Sequence, residues 1–345
     1  MRLTNLIIIS TLLVMLESTV TSQDKISVDS EHFAGVMEAH FATLESWQTG
    51  DVLVRIRSSG EGRYLKLEDQ GPDKPIKYVE GPDASTAVVR YDMLIRFVFD
   101  LDTDRALIIM RGENETQVID ALDDDAGRPS QIVYDDVTLF DKSQNITCFK
   151  SSNGPIRKLD EIPNISQILA KVPDLRGLGA LERAGSPWNT EELKDNFEYR
   201  ARPEFISSIL HVGNERYQVV HVGTDRTEGQ KVVWDWDMKR QLPLKFWLGN
   251  AKTGVTFLEN TAEWKLVNDG HVPASSRFFQ TNLQVIGARH YMVMNEGTME
   301  LHWFSFNQPL PDDLFEESIL SDRKKQDELM SKDVFEKDGV ETSNK

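Results

Sequence analysis

The sequence predicts a mainly β protein of the α+β class, and three features predict it. Residues 230–315 form a nearly continuous series of short runs with alternating apolar side chains, separated by turns of Gly, Asn, Asp and Pro. Residues 87–100 give the longest alternating run, and a polar turn leads from it into a second run at 105–111. Helical spacing is found at residues 32–47 and in short stretches within 159–197. This order indicates an antiparallel meander, because parallel strands would need crossover helices between them.

Residues 1–22 have the pattern of a signal peptide. Arg2 precedes an apolar run at residues 6–16, and residues 20–22 offer small side chains suited to signal peptidase. The run is shorter than the roughly 20 apolar residues of a spanning helix. We therefore expect cleavage near Ser22, leaving a periplasmic or secreted mature chain without a transmembrane segment. An uncleaved N-terminal anchor is the alternative.

Composition limits the classes of partner and the source of stability. The chain has 56 acidic against 39 basic residues and a formal net charge of −17. Such a chain repels nucleic acid and anionic membrane surfaces at long range, so we expect no nucleic-acid partner. Cys148 is the only cysteine, which rules out an intramolecular disulfide and leaves stability to the core. Its strand-like surroundings predict a buried small apolar residue instead of a nucleophile.

The first element after the leader is an amphipathic helix at residues 32–47. Asp29 or Ser30 is placed to cap its start, and Gly50 is placed to end it before a strand at 52–57. Its apolar side chains follow helical spacing at Phe33, Val36, Met37, Phe41 and Leu44.

The run at residues 87–100 is the strongest single strand. Its odd positions are all apolar or aromatic, and its even positions carry the charged side chains. One face must therefore contact a core or a cavity. We expect it to pair with 105–111 as a long hairpin, and 116–120 to add another strand.

In the later series, Trp234 and Trp236 share one strand face, whereas Asp235 and Asp237 share the other. Leu244, Phe246 and Leu248 repeat the pattern in the next strand. Further strands are expected at 255–258, 262–267, 271–279 and 300–306. Between 159 and 197 the short helices either cover this sheet or link two halves of the chain.

Several segments of the last third resemble the LolA/LolB-like superfamily of lipoprotein-sorting proteins, which includes the RseB-like regulators. These are Trp-Asp at 236–237, Leu-Pro-Leu-Lys at 242–245, Asp-Gly-His-Val-Pro at 269–273, and the segment 304–315. The resemblance implies a curved antiparallel half barrel with an N-terminal helix and short helices covering an apolar concave face that holds acyl chains.

On this interpretation residues 23–315 form a single half-barrel domain with a helical insertion at 159–197. Residues 316–345 are charged and poor in apolar side chains, so we expect a flexible tail. The expected ligand-binding residues of the concave face are Tyr91, Met93, Ile95, Phe97, Phe99, Trp234, Trp236, Leu244, Phe246 and Leu248. The sequence leaves open whether these side chains line an open cavity or fill a closed core.

The sequence lacks the usual motifs of metal sites and of serine hydrolases. It contains no His-x-His or His-Glu-x-x-His pair and no Gly-x-Ser-x-Gly elbow. Asp100, Asp102 and Asp104 imitate a calcium loop, but Arg105 and Arg111 replace the required Gly and Glu. We therefore expect no catalytic residues, no cofactor and no metal.

The function predicted is that of an exported, monomeric, non-catalytic protein that holds a lipid or a lipoprotein acyl chain, as a carrier or as an envelope sensor. An envelope membrane protein is a possible partner class. The alternative is an extracellular carbohydrate-binding or adhesion module, in which some of the seven Trp form exposed sugar-stacking platforms.

Overall fold

A computed structural model describes residues 30–68, 77–81, 86–119, 130–151, 154–159, 163–179, 194–195, 206–213, 215–222, 229–286, 289–331 and 333–335. The expected signal peptide at residues 1–22 lies outside the described residues. Strands dominate the described part of the chain, which confirms the mainly β prediction.

The described residues form a sheet of fourteen strands. They are β1 (Thr49–Glu68), β2 (Lys77–Glu80), β3 (Thr86–Asp100), β4 (Arg105–Ile119), β5 (Ser130–Asp141), β6 (Ile146–Ser151), β7 (Arg157–Lys158), β8 (Ile206–Gly213), β9 (Arg216–Val222), β10 (Gln230–Asp237), β11 (Leu242–Asn250), β12 (Thr256–Val267), β13 (Gly270–Ile286) and β14 (Arg289–Phe306).

The described helices include three α-helices and three short 3-10 helices. The α-helices are α1 (Ser30–Glu45), α2 (Ile165–Leu169) and α3 (Arg323–Leu329). The 3-10 helices are Leu175–Gly177, Asp312–Phe315 and Glu317–Leu320.

Neighbouring strands in the sheet are antiparallel and mostly consecutive in the chain. The spatial order is β7-β6-β5-β4-β3-β1-β14-β13-β12-β11-β10-β9-β8, and β2 pairs with the end of β1. β1 lies between β3 and β14, so the first strand joins the two halves of the meander at its centre. β7 and β8 are the two ends of this order, so the sheet is an open, curved half barrel.

One face of the sheet, here called the inner face, carries α1. The helix buries the five apolar side chains predicted from its spacing, and they join the largest core cluster. The ring of Phe33 lies 6.2 Å from that of Trp234 and 5.7 Å from that of Trp236. The amphipathic helix therefore covers the inner face, as predicted.

The described part of the predicted helical insertion covers the same face. Asn164 caps α2 through a capping box with Gln167. Ile168, Leu169 and Leu175 then join the core cluster that contains α1. These residues form a cover on the sheet, which was one of the two arrangements that the sequence left open.

The opposite face, here called the outer face, is covered by the chain after β14. Leu314, Phe315, Ile319 and Leu320 are buried in a second cluster with side chains of β1 and β3–β6, and Cys148 is buried in the same cluster. The prediction of a flexible tail from residue 316 is wrong for residues 317–330. Five apolar residues at 314, 315, 319, 320 and 330 are spaced too irregularly to reveal an element, yet together they cover this cluster.

The central strands are longer than their sequence patterns predicted. β1 continues from the expected 52–57 through a Ser- and Gly-rich stretch to residue 68, and β14 begins at residue 289 instead of 300. A Cβ at Gly62 would lie 2.8 Å from Cγ2 of Val293. The glycine therefore permits close strand packing at a place where its sequence signal is that of a turn.

Candidate functional site

All ten predicted ligand-binding residues belong to the inner-face core or pack against it. Eight of them are buried, with exposed fractions of 0 to 8%, and Tyr91 and Leu244 are partly buried beside them. Phe33 of α1 packs against the rings of Trp234 and Trp236 and fills the space above them. Most of the predicted wall is thus packed core in this structure.

An inner-face cavity of about 460 Å³ lies beside this core. Tyr91 and Met93 are the two predicted residues that line it. The other lining residues are Met110, Tyr134, Asp136, Val137, Thr138, Phe149, Lys150, Ser151 and Lys171.

Strand register brings these side chains together. Ile95 of β3 is opposite Met110 of β4, which in turn is opposite Asp136 of β5. Two residues after Asp136 in β5, Thr138 is opposite Phe149 of β6. Because side chains two residues apart share a face, these residues form neighbouring rows on the inner side.

Lys171 closes one side of the cavity from the segment that follows α2. The residue as a whole is exposed, but its side chain is partly buried where Nζ donates a hydrogen bond to Thr138 Oγ1 at 3.1 Å. The same ammonium lies 3.7 Å from the centre of the Phe149 ring, in the geometry of a cation–π contact. Partial burial lowers the pKa of Lys171, and the negative charge of Asp136 opposes that change.

The aromatic wall of the cavity is uncharged. Burial and, to a smaller extent, the neighbouring Tyr134 together raise the pKa of Tyr91 to about 12. Tyr91 is therefore a neutral phenol at any physiological pH. Together with Met93, Met110 and Phe149, it gives the cavity a largely apolar wall, and the charged lining residues are Asp136, Lys150 and Lys171.

Sequence reasoning missed nine of the lining residues. Alternation of Tyr134, Thr138 and Phe140 in β5 is a weak signal for an inner strand face. Lys171 has no such signal, because it reaches the cavity from the turn after α2, whose position depends on tertiary packing.

Two further cavities lie on the outer face. One, of about 850 Å³, is lined largely by charged side chains of the central strands, such as Arg57 and Glu296. The other, of about 480 Å³, lies beside α3 and includes Arg111 and Asp135. Arg57 is paired with Glu300 at 2.6 Å, and Arg111 with Asp135 at 3.2 Å. Charged walls of this kind do not suit an apolar ligand.

Within the described ranges, no group of three or more His, Cys, Asp or Glu side chains is arranged to hold a metal ion. Burial raises the pKa of the Cys148 thiol, which keeps this residue in the less nucleophilic thiol form. No helix in the described part of the chain has both the length and the apolar character needed to cross a membrane.

Comparison with known proteins finds no matching family model and no matching curated protein. Among solved structures, the chain is similar to a LolA superfamily protein from Nitrosomonas europaea, with 12% identity, a TM-score of 0.30, and coverage of 83% of this chain and 98% of the other. It is also similar to a DUF1329 family protein from Desulfovibrio piger, with 9% identity, a TM-score of 0.28, and the same coverage. A lipovitellin structure that describes lipid–protein interactions matches with 11% identity and a TM-score of 0.29, over 77% of this chain and 26% of its own.

Proposed function

We propose that this protein binds a lipid or an acyl chain in the inner-face cavity and catalyses no reaction. The observation that carries the proposal is a cavity of about 460 Å³ whose wall includes Met93, Met110, Tyr91, Tyr134 and Phe149. Small-molecule sites have volumes of about 300–1,000 Å³ and are lined mainly by apolar and aromatic side chains.

The energetics favour an apolar ligand. Each methylene group moved from water into such a cavity contributes about 0.8 kcal/mol. Met93 and Met110 suit this role because an unbranched thioether side chain adapts its shape to a flexible chain. A cavity of this size on a face otherwise filled by α1 and α2 fits one acyl chain better than a bulky double-chain lipid.

We further propose that the protein works after export, as a lipoprotein carrier or an envelope sensor, and as a monomer. Support comes from the signal-like pattern of residues 1–22 and from the resemblance of the last third to lipoprotein-sorting proteins. An envelope membrane protein would then receive the ligand or respond to it.

Tryptophan burial speaks against the carbohydrate-binding alternative. Sugar platforms require exposed aromatic faces, but Trp47, Trp234, Trp236, Trp264 and Trp303 are all at most 9% exposed. Trp247 is partly buried, and Trp188 lies outside the described residues. No described tryptophan therefore forms an exposed platform.

Mass spectrometry after native purification and organic extraction tests the proposal. A stoichiometric acyl lipid is expected to copurify with the wild-type protein. Met110→Trp should reduce that lipid severalfold, because the larger ring fills the cavity. The same substitution at Met294, which is 44% exposed on the outer face, serves as the control and should retain the lipid.

Equal lipid content in the Met110→Trp and Met294→Trp proteins would contradict this location of the site. A wild-type protein that is empty and also fails to bind fluorescent acyl probes would contradict lipid binding itself.

A further inference from the structure

We infer that Lys171 binds the anionic head, a carboxylate or a phosphate, of a single-chain amphiphile whose tail lies in the inner-face cavity. This inference rests on the proposed function and adds the chemical class of the ligand. It predicts that the protein distinguishes acyl ligands by the charge of their head group.

The ammonium of Lys171 has a fixed position beside the cavity. Lys171 is exposed, yet its Nζ is held at the cavity by a 3.1 Å hydrogen bond to Thr138 Oγ1 and by the Phe149 ring at 3.7 Å. Thr138 is buried, so this anchor is fixed by the sheet. A lysine ammonium has three donors, and the hydroxyl uses one of them.

The ammonium of Lys171 also lacks an ion-pair partner among the described side chains. Within the described ranges, no carboxylate lies within 4.0 Å of the Lys171 ammonium. Asp136 lines the same cavity and favours the protonated lysine through its charge, while partial burial acts in the opposite direction. A ligand carboxylate or phosphate would supply the missing partner and accept the free donors.

A positive charge and an apolar surface lie next to each other in this cavity. Lys171 stands at one side of a cavity whose remaining wall includes Met93, Met110 and the neutral phenol of Tyr91. A molecule with one anionic end and one apolar chain matches both parts at once. An uncharged acyl ligand would match the wall and leave the ammonium unpaired.

Paired ligands that differ only in head-group charge give the test. Affinities of dodecanoate and methyl dodecanoate for the exported chain are measured by titration calorimetry below their aggregation limits, and dodecyl phosphate is measured in parallel. We expect the wild-type protein to bind both anionic probes about tenfold more tightly than the ester, the size of one charge-assisted hydrogen bond.

Three variants separate charge from shape. Lys171→Met keeps an apolar stem over Phe149 and should bring the anionic probes to the affinity of the ester. Lys171→Arg keeps the charge and should retain most of the preference. Lys324→Met, at an exposed position of α3, removes a charge elsewhere and should leave the preference unchanged.

Each outcome decides the inference. It is overturned if wild type shows no preference, or if Lys171→Met keeps the wild-type preference while still binding the ester. Displacement of dodecanoate by equal concentrations of acetate or inorganic phosphate would also overturn it, because the site would then recognise a free anion. Failure of every acyl probe to bind would reject the proposed function together with the inference.

Discussion

At the scale of single residues, His40 shows how completely the inner face is shielded from water. Its ring is 1% exposed and meets those of Trp236 and Trp264 edge-on, with centroids at 5.4 and 6.0 Å. Burial lowers its pKa to about 3, and a hydrogen bond with the Gln241 backbone opposes part of that change. The native protein therefore holds this histidine in its neutral form.

We predict that His40 makes the protein less stable in mild acid. Below the ordinary histidine pKa of about 6.5, the unfolded chain takes up a proton that the native state rejects, so the free energy of unfolding falls as the pH falls. From pH 7 to pH 5 this single group should remove about 2 kcal/mol. The loss should continue until the native pKa of about 3 is reached.

Urea unfolding of wild type and His40→Gln at several pH values measures this effect. The variant is expected to have a lower free energy of unfolding at neutral pH, because the site is adapted to the imidazole ring. Below about pH 6.5, its free energy of unfolding should fall less steeply than that of wild type. Above that pH the two curves should run parallel. Parallel curves across the acid range as well would show that another group causes the decline.

A buried ion pair lies on the outer face. Arg96 of β3 donates from Nη2 to Asp51 Oδ2 of β1 at 2.7 Å, and its guanidinium carbon lies 3.5 Å from the centre of the Phe304 ring. Burial raises the pKa of Asp51 and lowers that of Arg96, while each partner's charge opposes the other's change. Burial costs both groups solvation free energy that their mutual contact offsets, so little net stability is expected from the pair.

At the scale of elements, the segment from residue 312 to 330 covers part of the outer face of the sheet. Its apolar residues cover an outer cluster that includes Leu53, Leu94 and Leu107. Gln326 is buried and donates to the backbone oxygen of Ile319 at 2.7 Å, which ties α3 to the preceding 3-10 helix. Without this segment the cluster would be exposed to water.

We predict that shortening a buried apolar side chain in this segment destabilises the whole protein. Leu320 is 1% exposed, so Leu320→Ala should cost about 2–5 kcal/mol through lost burial and the cavity left behind. Leu266 is 61% exposed, and Leu266→Ala should change stability by at most about 0.5 kcal/mol.

Chemical denaturation followed by circular dichroism measures both variants. If the segment were a loosely attached tail, the two substitutions would have equally small effects, and the outer cover described above would not contribute to folding.

At the scale of the whole molecule, a single open sheet separates two cores. The inner core contains residues from β1, β3–β5 and β8–β14, and therefore joins both halves of the meander. The outer core is smaller and is confined to β1, β3–β6 and the segment after β14. Unfolding of the inner core is expected to expose most of the tryptophans together.

Tryptophan fluorescence tests this arrangement. Since five of the seven tryptophans are nearly inaccessible, emission of the native protein should be blue-shifted, and acrylamide should quench it weakly. Unfolding in guanidinium should shift the emission to longer wavelength in one transition and make quenching strong. Strong quenching of most of the native emission would contradict both the packed inner core and the burial on which it depends.

The sequence determined those features that depend on local periodicity. Alternation in 87–100 and 230–237 predicted strands and assigned Met93, Phe97 and Trp234 to one buried face. Spacing of five apolar residues predicted α1 and its buried side, because a helix repeats its faces over a few residues. Antiparallel strands preceded by an amphipathic helix followed from these patterns, whereas the covering of one face by helices was implied by the resemblance to lipoprotein-sorting proteins.

Tertiary structure decided the features that depend on distant partners. Gly62 lies in a strand at a point where Val293 leaves no room for a larger side chain. Leu320 is buried because its segment packs against the outer face of the sheet. The cavity combines side chains from four strands with Lys171 from the segment after α2, so no local pattern contains it. Which apolar side chains fill a core and which face a cavity depends on the volume left between elements, and that volume is set only when they pack.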